Sequence, residues 1–203
     1  MTAAGWDVAV FRAIHLGMHQ RWLDPVMKFL TDPGAWKIPI LVVVGSLFLL
    51  RGRRGLVGVL VLALTIAAGD QLSSHVLKKI VKRPRPSVTL PDSQPLFGRR
   101  GTHSFPSTHA VNFFAAAPVV SAVFPEAAAA AYGVAAAVSF SRIYVGDHYP
   151  SDVLAGAALG FGLGWLGRRL YRRLMRTLLR NRAAPEESIP LTERDERAPS
   201  AVP

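Results

Sequence analysis

The chain has 203 residues, half of them apolar, a formal charge of +11 and no cysteine. That length suits one compact unit and leaves no space for a second catalytic domain of ordinary size, while the lack of thiols excludes disulfides and thiolate metal sites. So large a positive charge fits a nucleic-acid binder, a protein lying on anionic lipid, or an enzyme handling anionic groups, and the placement of the basic residues decides among them.

Residues 1–7 lack the basic start of a signal peptide, and Arg12, His15 and His19 interrupt the stretch after them, so export by cleavage is not expected. Val8, Phe11, Ile14, Met18, Trp22, Val26 and Phe29 recur at near-helical spacing, with Asp7, Arg12, His15, His19 and Lys28 falling mostly elsewhere. The pattern predicts an amphipathic interfacial helix within residues 1–34, kinked or broken at Pro25.

Five apolar stretches come next, at 36–50, 55–77, 106–124, 127–144 and 150–166. They predict an all-α fold in which residues 1–182 form an integral-membrane bundle of five transmembrane helices, six if the N-terminal helix also crosses. Several stretches fall short of the ~20 residues that a span normally needs, and the fourth is mostly alanine, so a buried helical core is the competing reading. Small residues suit helix contacts in lipid, and Gly156, Gly160 and Gly164 repeat at four-residue spacing in the last stretch. Arg51, Arg53 and Arg54 in one short loop, and Arg168, Arg169, Arg172, Arg173, Arg176 and Arg180 after the last stretch, should remain cytoplasmic. Five spans put both groups on one side and residues 78–105 on the other. Residues 183–203 are rich in Pro, Glu and Ser and read as a disordered tail without chemistry.

The segment after the second stretch is itself basic, with Lys78, Lys79, Lys82, Arg83, Arg85, Arg99 and Arg100. It breaks the positive-inside expectation. Pro84 and Pro86 forbid a continuous helix and stiffen an extended backbone, and by composition alone a patch holding anionic headgroups is as good a reading as catalysis. At the other end of the loop Pro106 opens a helix with Ser107 and His109 in its first turn, where unpaired N–H groups favour an anion. Taken singly, Ser107 is an N-cap and His109 a structural polar residue. Arg142, His148 and Asp152 join the fourth and fifth stretches on the same side. Arg142 can hold a phosphate oxygen, and Asp152, one turn beyond His148, can accept the proton of one imidazole nitrogen and leave the other as a nucleophile. A helix-capping pair is the plainer reading of His148 and Asp152. Charged residues tied to membrane spans favour function for the set.

These residues resemble the signature of the type 2 phosphatidic acid phosphatase superfamily: a lysine seven residues before Arg-Pro, then Pro-Ser-Gly-His, then Ser-Arg, five residues, His, three residues and Asp. Lys78 precedes Arg85-Pro86 by seven, Pro106-Ser107-Thr108-His109 supplies the second motif, and Ser141-Arg142, His148 and Asp152 keep the third spacing. Thr108 replaces the usual glycine, whose N–H helps bind phosphate in the family; threonine keeps an N–H but tolerates positive φ poorly. The resemblance covers residues 78–152 and implies that His148 attacks phosphorus with Asp152 orienting it. Lys78, Arg85, Ser107, Thr108 and Arg142 would hold the phosphate, and His109 would protonate the leaving oxygen and then serve as base for water. It implies neither cofactor nor metal.

A membrane-face site suggests a phosphorylated lipid as substrate, such as a polyprenyl diphosphate, phosphatidylglycerophosphate or phosphatidate, with the membrane and not nucleic acid as partner. The Ala- and Arg-rich composition points to a bacterial inner membrane with the site on its extracytoplasmic face. The rival readings are a lipid phosphotransferase on the same site, a haloperoxidase of the same superfamily, a metal site from His103, His109, His148 and Asp152, and a non-catalytic protein binding anionic lipid. The apolar stretches argue against the haloperoxidases, which are soluble.

Overall fold

The computed structural model describes residues 4–98 and 103–183. Arg99, Arg100 and all but the first residue of the expected tail lie outside the described residues. The elements run α1 (Gly5–His15), α2 (Asp24–Thr31), α3 (Lys37–Asp70), a π-helical stretch (Gln71–Leu77), α4 (Lys78–Val81), α5 (Pro86–Thr89), α6 (Thr108–Val123), a 3₁₀ turn (Pro125–Ala127), α7 (Ala128–Tyr144) and α8 (Pro150–Ala183). The described residues contain no strand, so the all-α expectation holds.

The first two apolar stretches are the two arms of α3, divided at Gly52, whose φ of 50° and ψ of −127° break the helix. The arms fold back on each other so that Leu47 packs with Val61 and Leu62. The second arm runs on without a break through the π-helical stretch to Val81. Lys78 therefore sits on a helix and not in an extended loop; the chain leaves helical geometry only at Lys82, with φ 49°.

α8 lies along α6, and its glycine stripe faces that helix. A Cβ on Gly160 would stand 2.2 Å from the Val111 carbonyl oxygen, and one on Gly156 or Gly164 would meet Ser107 O or Ala115 O at 2.7 or 2.5 Å. No side chain fits there, which is why small residues recur at four-residue spacing. The helix continues well past residue 166, to Ala183.

The N-terminal segment departs from expectation in two ways. It forms two helices separated at residues 16–23, and Pro25 lies in the first turn of α2, where its missing N–H costs nothing, instead of breaking a helix. Two polar residues of the segment are also buried, Asp7 and His15 at 1% and 2% exposure, while Trp22 at 71% and Phe29 at 51% exposure turn outward, as an interfacial segment would turn them toward lipid. Of the expected apolar face, Phe11 alone enters the fully buried core, against Tyr149. Outward apolar side chains continue along α3, with Ile38, Leu41, Leu49, Leu60 and Leu64 all largely exposed. A continuous apolar exterior of this kind would be a liability in water and is ordinary in lipid. The run Lys37–Thr89 holds a helix long and apolar enough, by length and composition, to cross a membrane, and Thr108–Val123 is apolar but shorter.

Candidate active site

Three segments converge at one end of the bundle. The end of the α3–α4 helix and the link after it supply Lys78, Arg83 and Arg85; the start of α6 supplies Ser107, Thr108 and His109; the turn between α7 and α8 supplies Arg142, Asp147, His148 and Asp152. The turn depends on Gly146, whose φ is +86° and whose Cβ would fall 2.8 Å from the His15 ring. His15 bridges that turn to the loop before α6: its Nδ1–H donates to Tyr144 O at 2.7 Å, and Nε2 accepts the Gln94 N–H at 3.2 Å.

A cavity of about 760 Å³ opens between α3, α6 and α7, and Lys78, Arg85, Thr108, His109, Arg142 and His148 line its polar end. Lys78 Nζ donates to Thr108 Oγ1 at 2.9 Å, and Ser74 Oγ lies 3.2 Å from the same oxygen. Arg85 donates to the Asp147 carbonyl at 2.8 Å, and Arg142 pairs with the Asp147 carboxylate. Asp147 thus aims two guanidinium groups, a role that its position next to His148 did not reveal in the sequence.

His148 is 2% exposed. Burial, and then the positive charges of Arg85 and Arg142, hold its pKa well below the usual imidazole value, so the ring is neutral near pH 7. Arg85 Nη1 approaches His148 Nε2 at 3.4 Å. A guanidinium only donates, so Nε2 presents its lone pair there and Nδ1 carries the proton. The nearest carboxylate oxygen to Nδ1 is Asp152 Oδ2 at 3.7 Å, longer than a hydrogen bond.

Asp152 is fully buried and held by other groups: Arg83 donates to Oδ1 at 2.6 Å, and the Tyr149 N–H donates to Oδ2 at 2.9 Å. Arg83 also reaches Asp7 on α1 at 2.5 Å and stacks over the Tyr149 ring at 4.3 Å. Neither Arg83 nor Asp7 was singled out from the sequence. Arg83 stood in the basic cluster without a distinguishing spacing, and Asp7 fell on a face assigned to the surface.

Ser107 takes the N-cap position of α6 but makes no side-chain cap; its buried Oγ has no partner, and its N–H donates to Asp152 O at 3.0 Å. Its hydroxyl is therefore not used as a cap. Lys82 is the one non-glycine residue of positive φ among the described residues, so Thr108 is under no glycine-like backbone demand. His109 Nε2 lies 3.2 Å from the Thr31 carbonyl, which can only accept, so this nitrogen bears hydrogen. Among the described residues no three His, Asp or Glu side chains form a metal-ligand group, and His103, His109, His148 and Asp152 are not gathered into one.

The model of the PAP2 superfamily matches residues 58–176. The chain belongs to that superfamily. It is 33% identical over 159 residues to the lipid A 4'-phosphatase of Bacteroides thetaiotaomicron, across 74% of this chain and 70% of that one. To phosphatidylglycerophosphatase B of Bacillus subtilis it is 30% identical over 185 residues, across 84% and 85%. The crystal structure of a transmembrane PAP2-type phosphatidylglycerolphosphate phosphatase from Bacillus subtilis superposes with a TM-score of 0.65 at 28% identity, covering 83% of this chain and 86% of that one. The chain is accordingly a PAP2 enzyme of the lipid phosphatase class, and an integral-membrane one.

Proposed function

We propose that this protein hydrolyses a phosphomonoester or diphosphate group from a lipid, without a metal, through a phosphohistidine on His148. The supporting observation is the shape of the cavity. From its cationic end at Lys78, Arg85 and Arg142 it passes into an apolar arm lined by Ile40, Val44, Ile66, Phe113, Val120 and Ala131. The α6 residues on its wall extend from Thr108 to Val120, a helical rise of about 18 Å. A headgroup phosphate and a long hydrocarbon chain fit the two parts together.

Neutral His148 Nε2 attacks phosphorus in line as the bond to the lipid oxygen breaks, and the leaving oxygen takes a proton from His109. Lys78, Arg85, Arg142 and Ser107 hold the non-bridging oxygens while charge develops, and Thr108 fixes Lys78. Water then attacks the phosphohistidine, giving its proton to His109 and freeing phosphate. Asp152 steadies the His148 proton on Nδ1. In this reading the chain crosses five times, with α1 and α2 beside the bundle, the site faces the extracytoplasmic side of a bacterial inner membrane, and the arginines of 51–54 and of α8 face the cytoplasm. Polyprenyl diphosphates, phosphatidylglycerophosphate and phosphatidate all match the cavity's chemistry.

Activity on a phospholipid panel with vanadate and with EDTA tests the reading. Vanadate adopts the five-coordinate geometry of in-line attack and should inhibit potently and competitively. EDTA should do nothing. Loss of activity on chelation, restored by zinc or magnesium, would overturn the metal-free mechanism, and transfer of phosphate to a second lipid in preference to water would replace hydrolysis by phosphotransfer.

A further inference from the structure

The carboxylate behind His148 belongs to a buried relay that reaches the N-terminal helix. Arg83, 6% exposed, divides its guanidinium between two carboxylates: Nη1 donates to Asp152 Oδ1 at 2.6 Å and Nη2 to Asp7 Oδ2 at 2.5 Å. Asp7, 1% exposed, also accepts the Ser151 N–H at 2.9 Å and the Ser151 hydroxyl at 2.6 Å. Arg83 Nη1 lies 2.6 Å from that same hydroxyl. A helix with an apolar exterior has no packing reason to bury a carboxylate. Two carboxylates on one buried arginine hold together only if nearly every lone pair and proton is matched, and here only Nε of the guanidinium lacks a partner. Both terminal nitrogens of Arg83 are committed to carboxylates, and neither Arg83 nor Asp7 opens on the cavity, so phosphate binding does not account for the pair.

We infer that Arg83 and Asp7 are positioning residues for catalysis: Arg83 fixes the rotamer and charge of Asp152, and Asp7 on α1 shares the guanidinium so that Asp152 keeps Oδ2 turned to His148 Nδ1. Asp152 must stay ionised and aligned for His148 to remain the Nδ1–H tautomer with Nε2 toward phosphorus. An arginine given wholly to Asp152 would compete with the imidazole for that carboxylate, and an absent arginine would leave it free to turn. Asp7 balances the two. The N-terminal helix thereby becomes part of the catalytic apparatus without touching substrate.

The inference rests on His148 being the nucleophile, so His148→Ala is measured beside the other variants, all in purified full-length protein with p-nitrophenyl phosphate. Arg83→Gln should lower kcat about 10–100-fold, the size of loss found when the carboxylate partner that orients a metal-bound histidine is removed, with KM and vanadate affinity within about threefold. Asp7→Asn should lower kcat less, and in the Arg83→Gln background it should add nothing, because it acts through Arg83. Arg83→Lys should recover part of kcat. Arg12→Gln breaks the exposed α1 ion pair to Asp92 and should leave kcat unchanged, separating catalytic coupling from anchorage of the helix. A rise in KM with kcat intact would make Arg83 a phosphate ligand, and multiplying losses for Arg83→Gln and Asp7→Asn would make the two independent; either result overturns the inference. If Arg83→Gln does not fold, Arg83→Lys at full kcat overturns it and a partial kcat at unchanged KM supports it. Turnover retained by His148→Ala would instead overturn the nucleophile assignment itself.

Discussion

Lys78 and Thr108 meet across 2.9 Å, an ammonium donating to a hydroxyl where the family pattern has a glycine without a side chain. The residue that replaces the glycine thus adds a contact. It holds a lysine on the end of one helix against the first turn of another, beside the positions of Arg85 and His148.

Thr108→Val removes the acceptor while keeping size and backbone N–H. A hydrogen bond to a charged group contributes about 1.5–3 kcal/mol, so kcat/KM should fall by about tenfold or more. Thr108→Ser should stay near wild type. Steady-state kinetics on both variants check this; equal activity of the valine and wild-type enzymes would leave the contact without a catalytic role.

The two histidines should separate by leaving group. His109→Ala removes proton transfer, typically ~10²–10⁴-fold, and p-nitrophenolate, which needs no proton, should restore much of that loss. His148→Ala removes the nucleophile and should not be restored. A series of aryl phosphates of graded leaving-group pKa measures the difference, and parallel responses of the two variants would reverse or void the roles.

Much of this site was legible as spacing along the chain. Lys78, Arg85, Ser107, His109, Arg142, His148 and Asp152 stand at fixed intervals because each of three helix ends must present its groups in one register. Asp7, Arg83 and Asp147 follow no interval: they meet the site through tertiary packing, and a single carboxylate or one arginine among many carries no local signal. The buried polar residues of the N-terminal helices were not legible for a physical reason. Amphipathic periodicity marks an apolar face, and Trp22 and Phe29 do turn outward, but it carries no sign that Asp7 and His15 turn in to tertiary partners. The run from the second arm of α3 through the π-helical stretch into α4 was likewise hidden, since it ends at Lys82, a residue type that gives no sign of a left-handed φ.

The depressed pKa of His148 fixes the sign of a pH effect. Below the ordinary value of about 6.5 the unfolded chain takes up a proton that the native chain refuses until its lower pKa is reached. This contribution to stability is complete above 6.5 and is lost as pH falls through the window beneath it. Imidazole NMR of the ligand-free protein should show His148 neutral at pH 6.5. A normal midpoint there would remove the argument that burial, Arg85 and Arg142 keep the nucleophile unprotonated.

The membrane arrangement is open to direct labelling, since any cysteine introduced into this cysteine-free chain is unique. Cysteines placed beside Lys78 or His148 should react with an impermeant thiol reagent from one side of the membrane, and those placed at Arg53 or Arg172 from the other. Labelling of sites near Arg53 and His148 from the same side would defeat the five-span arrangement.

The nucleophile itself is best tested by trapping the intermediate. Enzyme mixed briefly with a ³²P-labelled lipid phosphate and quenched in alkali, where phosphohistidine survives, should carry label that is lost in acid and that maps to the peptide containing His148. Label absent from His148→Ala but present in wild type is the predicted result. Rapid turnover with no acid-labile label on wild-type protein, or label on another residue, would contradict attack by His148.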